Sequence, residues 1–107
     1  MQQKSSREGY EFSDTTKLEA LKRSDWCCEV CGIPKEECEM LYLHHVLPIA
    51  IARQFYPYIV PELVKSLENC RVVCYKCHQI EDKESRRNHR TIAQALLFVN
   101  QLHARTA

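Results

Sequence analysis

Two Cys-x2-Cys pairs, Cys28-Glu-Val-Cys31 and Cys74-Tyr-Lys-Cys77, constrain this chain more than any other feature. Each pair presents two thiolates from one tight turn, and four thiolates select a tetrahedral zinc with no coordination position left for catalysis. Gly32 follows the second cysteine and can take the positive φ that lets a knuckle turn back on itself. About forty residues separate the pairs, against roughly 15–20 in a compact four-cysteine finger, so a further unit is inserted between the halves. A structural zinc also suits a single domain of 107 residues, which buries only a modest core.

The seven cysteines are an odd number, so a complete set of intramolecular disulfides is impossible. In a reducing compartment this spacing reads as metal ligation before it reads as bridging. Cys27, Cys38 and Cys70 are left over and read as small apolar side chains, with Cys27 competing with Cys28 for the ligand position. A redox switch is the other sharp reading of a Cys-x2-Cys pair, but it needs only one pair and a thioredoxin-like βαβ context that this sequence lacks. No apolar run approaches the roughly 20 residues that span a bilayer, and the N-terminus lacks the apolar stretch of a signal peptide, so the expected location is the cytosol. The formal net charge of +1 neither announces nor excludes nucleic acid, because binding it needs a local basic surface and not a basic chain.

Residues 1–12 are expected to be a flexible tail, and residues 13–107 a single domain. A helix should open near Asp14, with Thr16 and Glu19 in capping-box spacing, and close at Ser24-Asp25. Met40 to Leu47 and the shorter Cys70 to Cys74 favour strands. Between them, Pro61 suits the first turn of a short helix from Glu62 to Leu67, whereas Pro57 argues against one continuous helix. Tyr75 to about Arg87 is helix-compatible, and a packing helix over about 90–104 carries Ile92, Ala95, Leu96, Val99 and Leu102 on one stripe.

Between the thiolate pairs stand His44 and His45 on the first strand and Asn69 before the second; His78 directly follows the last cysteine. Over about Trp26 to Lys83 this arrangement resembles the zinc-containing, four-cysteine branch of the HNH endonucleases. The resemblance implies an α+β fold, a small treble-clef-like ββα-metal (His-Me finger) domain with a structural zinc knuckle and flanking helices. It implies a metal-dependent endonuclease that nicks or cuts DNA, with double-stranded DNA as partner. By the same resemblance His44 and His78 hold one catalytic divalent cation (Mg2+, Mn2+, Ni2+ or Zn2+), His45 is the general base, and Asn69 braces the loop between the strands. Cys28, Cys31, Cys74 and Cys77 hold the structural zinc.

The chemistry also follows from the residue types. Phosphodiester hydrolysis needs a base to activate water and a cation to neutralise charge on the phosphate and the leaving oxygen. Imidazole suits both tasks at neutral pH. Neighbours on a regular strand point to opposite faces, so His44 and His45 share a cleft only if the strand ends or kinks there, as Pro48 favours. His78 lies about 100° round a helix from Cys77, so one helix start can serve two metals on different sides. Asp82, four residues on, is a candidate further ligand. His89 and His103 read as ordinary surface residues or local hydrogen-bond donors.

Lys83, Arg86, Arg87 and Arg90 are the expected phosphate contacts, giving affinity with little sequence preference. Two departures from the family pattern bear on the shape of the DNA groove: Cys70 follows the asparagine where an aliphatic residue is usual, and the interstrand loop is rich in proline instead of glycine. The competing reading is a non-catalytic zinc-binding treble-clef module that binds nucleic acid or protein. The two diverge at His45, because a binding module has no use for a base beside a metal.

Overall fold

The computed structural model describes residues 9–106, with side chains described over 9–101. Helix α1 (Asp14–Arg23) leads into an irregular knuckle, and strand β1 (Tyr42–His45) follows. Short helices α2 (Ile49–Gln54) and α3 (Pro61–Val64) precede strand β2 (Cys70–Val73), then α4 (Tyr75–Asn88) and α5 (Ile92–Thr106). The strands form a two-stranded antiparallel sheet in which His44 faces Arg71 and His45 faces Cys70. With helices on either side of a metal-suited four-cysteine cluster, the architecture is α+β and fits a ββα-metal fold.

Local chemistry accounts for most of these elements. Ser13 caps α1 in extended conformation, its Oγ accepting the Thr16 N–H at 3.1 Å, so the cap lies three residues before the expected Thr16 box. Asp14 in the first turn and Lys22 and Arg23 in the last complement the helix dipole. Beyond α1 the chain reverses through Asp25 and Trp26, both at positive φ. Gly32 has φ 82° and donates its N–H to the Cys28 carbonyl at 2.9 Å, closing the first knuckle as its position required. Pro48 precedes α2, a helix the proline-rich composition concealed. Pro61 opens α3, which ends at Val64 where a helix from Glu62 to Leu67 was expected; a separate 3-10 turn covers Leu67–Asn69.

Three small apolar clusters hold these pieces together. Leu47, Ile49, Ala52, Ile59 and Val64 pack with Ala95 and Val99, anchoring the loop between the strands to α5. Phe12, Ala20, Cys70 and Val72 join α1 to β2, and Cys28, Val73, Cys74 and Cys77 form the third cluster. In the α5 stripe Ala95 and Val99 are buried but Ile92 is exposed, and the side chains of Leu102 and His103 lie outside the described residues.

Two expectations need correction. Of the flexible tail expected over residues 1–12, residues 1–8 lie outside the described residues, but Tyr10 and Phe12 are buried core. Two aromatic rings gain more from docking than a short polar segment loses by being ordered. His89 is not a surface residue: it is 6% exposed, with its ring 4.9 Å from that of Phe98 on α5. No helix among the described residues is long and apolar enough to cross a membrane.

Candidate active site and metal centre

The four cysteines of the two pairs converge from opposite ends of the fold. Cys28 and Cys31 come from the knuckle after α1, Cys74 caps α4, and Cys77 lies in its first turn. All four Sγ atoms lie within 4.8 Å of one another, with Cys31 and Cys74 3.7 Å apart. Cys28, not Cys27, fills the disputed position; the Cys27 Sγ turns to the Asp25 carbonyl at 3.3 Å. Burial raises the Cys28 thiol, but backbone N–H groups of Cys31, Cys74 and Val30 outweigh it and hold this group at about 6. Burial and the crowding of three further sulfurs push Cys77 up to about 12. Four sulfurs gathered this closely form a donor set that suits a soft tetrahedral ion such as zinc.

Glu29 ties this centre to the sheet. Its backbone N–H donates to the Val72 carbonyl and its Oε1 accepts the Val72 N–H, each at 2.8 Å. Arg23 pairs with the same carboxylate and donates to the Cys70 carbonyl at 2.6 Å. The first knuckle is therefore fixed on β2, the strand that feeds the second.

A cavity of about 340 Å³ opens on the other side of α4, lined by His44, His45, Pro48, His78, Asp82 and Arg86. The His44 and His78 rings meet edge to face, with centroids 5.4 Å apart. A separation of this size is compatible with two imidazoles sharing one ion. Tyr42, two residues before His44 on the strand, stacks on His78 at 5.1 Å and fixes its other face. Burial, reinforced by the neighbouring His78, holds His44 down at about 4 and so in its neutral form. Its Nε2 lies 3.1 Å from the Ser85 hydroxyl.

His44 and His45 line the same cavity because β1 ends at His45. From there Asn69 takes over the chain: its carbonyl accepts the Val46 N–H at 3.0 Å and its Oδ1 the Leu47 N–H at 2.7 Å. The Asn69 Nδ2 donates to the Leu47 and Val64 carbonyls at 3.3 and 2.8 Å. His45 is held by the N-terminal segment. Its Nε2 donates to the Tyr10 carbonyl at 3.0 Å, and its ring stacks on Phe12 with centroids 3.9 Å apart and planes 8° from parallel. A neutral imidazole that donates from Nε2 has its lone pair on Nδ1.

Asp82 lies at the wall of the pocket, where Arg86 Nε approaches its Oδ2 at 3.2 Å. Its carboxylate does not close with the two imidazoles into a compact three-donor cluster; among the described residues only the four cysteines form one. Of the four basic residues expected on DNA, Arg86 lines the cavity, and Lys83, Arg87 and Arg90 are exposed beyond it. Sequence reasoning missed Tyr10, Phe12, Tyr42 and Ser85 at this site. The spacing of His78, Asp82 and Ser85, at i, i+4 and i+7, was the one available signal for the last.

A model of the HNH endonuclease family matches residues 28–84, from the first cysteine of the staple to the middle of α4. No curated protein and no solved structure matches the chain.

Proposed function

This chain belongs to the HNH endonuclease family, and from that premise we propose that it hydrolyses phosphodiester bonds in DNA, with His45 as general base. The observation that carries the reading is the meeting of His44 and His78 in one cavity that His45 also lines. A divalent cation held by His44 and His78 would neutralise charge developing on the scissile phosphate and its leaving oxygen. His45, with Nε2 committed to the Tyr10 carbonyl, takes the proton of the attacking water on Nδ1. Asn69 acts at one remove, by holding the segment through which the chain leaves the strand. Zinc held by Cys28, Cys31, Cys74 and Cys77 is structural, since four thiolates leave no open position.

Arg86 stands at the rim of the cavity and is the nearest of the four cations for a phosphate flanking the cut. Lys83, Arg87 and Arg90 extend the basic surface along and beyond α4, which suits a duplex backbone. Asp82 is a further ligand only after leaving Arg86, so its contribution is expected through water.

Supercoiled plasmid incubated with the zinc-loaded protein and added Mg2+, Mn2+ or Ni2+ tests this reading. Wild-type protein is expected to cut, and His45→Ala to lose about 10²–10⁴ in rate while keeping its fold and its zinc. Undiminished cutting by His45→Ala removes that residue from the mechanism. DNA binding by the wild type without cutting in any of these metals leaves the non-catalytic module as the function.

A further inference from the structure

Ser85 lies in the interior of α4 and is 5% exposed. A serine in mid-helix gives up helix propensity relative to alanine, and a buried hydroxyl costs still more unless it is hydrogen-bonded. Here the partner is the Nε2 of His44, 3.1 Å away and 41 residues distant in sequence. His78, Asp82 and Ser85 lie within a stripe roughly 60° wide on one face of the helix, so the face that carries His78 also reaches the flank of His44.

We infer that Ser85 is a positioning residue for His44, its hydroxyl accepting the Nε2–H and so fixing both the ring's orientation and its tautomer. A ring whose proton sits on Nε2 has its lone pair on Nδ1, and only an unprotonated nitrogen can coordinate a cation. Without this acceptor the ring is able to carry its proton on either nitrogen and to rotate about χ2. The serine is thus explained as part of the site and not as part of the core. The inference rests on reading His44 as a cation ligand, and it concerns what makes His44 competent for that role.

The test uses zinc-loaded protein labelled with ¹⁵N-histidine and has two readouts, neither of them cutting. Long-range ¹H–¹⁵N spectra report which nitrogen of His44 carries the proton, and calorimetric titration with Mn2+ reports affinity at the histidine pocket. Wild type is expected to show His44 protonated on Nε2. Ser85→Ala is expected to give mixed tautomers and Mn2+ binding weaker by about 10–100-fold. Ser85→Thr, which keeps the hydroxyl, is expected to restore both. Wild-type behaviour of Ser85→Ala in either measurement overturns the inference, as does a wild-type His44 protonated on Nδ1. His44→Ala and His78→Ala separate this from the larger reading: Mn2+ affinity unchanged in both overturns the ligand assignment itself, whereas affinity that falls in both but not in Ser85→Ala overturns the role of Ser85 alone.

Discussion

Asn69 is wholly buried and spends both ends of its amide on backbone groups, accepting from Leu47 and donating to Leu47 and Val64. An amide supplies both a donor and an acceptor in that geometry, which a carboxylate or an aliphatic side chain of similar size does not. Asn69→Ala is expected to strip partners from three buried backbone groups and to cost roughly 2–4 kcal/mol, read from urea unfolding of the zinc-loaded protein. A loss below about 0.5 kcal/mol in that measurement contradicts the bracing role. Asn69 was legible in the sequence because a motif spacing carries it. His89 was not: the burial of a polar residue just past a helix end follows from the placement of α5, and no local period records that placement.

Helix α4 carries three tasks in fourteen residues. Its N-terminal turn supplies two thiols, His78 and Asp82 face the cavity while Ser85 reaches His44, and its exposed positions include the cations Lys83, Arg86 and Arg87. Helical geometry separates those cations: relative to His78, Arg86 is turned by about 80° and Arg87 by about 180°. Arg86 therefore stands at the cavity and Arg87 on the far side of the helix. Arg86→Gln is expected to lower DNA affinity and reduce the slope of log affinity against log salt by about 1, with Arg87→Gln changing both less. Fluorescence anisotropy on a short duplex across a salt series decides this, and equal effects of the two substitutions would show that DNA does not approach from the cavity side. The existence of α4 and its approximate ends were legible from composition. Its contact with His44 was not, because the partner lies across the sheet.

At the scale of the whole molecule, the four-cysteine centre joins the knuckle after α1 to the start of α4, and its sulfurs are themselves a large part of one of the three core clusters. A chain of 107 residues with a core so divided has little stability to spare. Chelation of the zinc, or Cys31→Ser, is expected to unfold the sheet and α4 together, seen as loss of helical circular dichroism and of a cooperative thermal transition. Retention of both after complete zinc release would make the metal dispensable to the fold. The sequence by itself determined the four-cysteine cluster and the order of two strands and a helix, because each is written in short intervals along the chain. Only the tertiary structure decided that Tyr10 and Phe12 grip His45, that Tyr42 backs His78 and that Ser85 meets His44. Such contacts join segments separated by tens of residues with no shared period, and they exist only once the apolar clusters have packed.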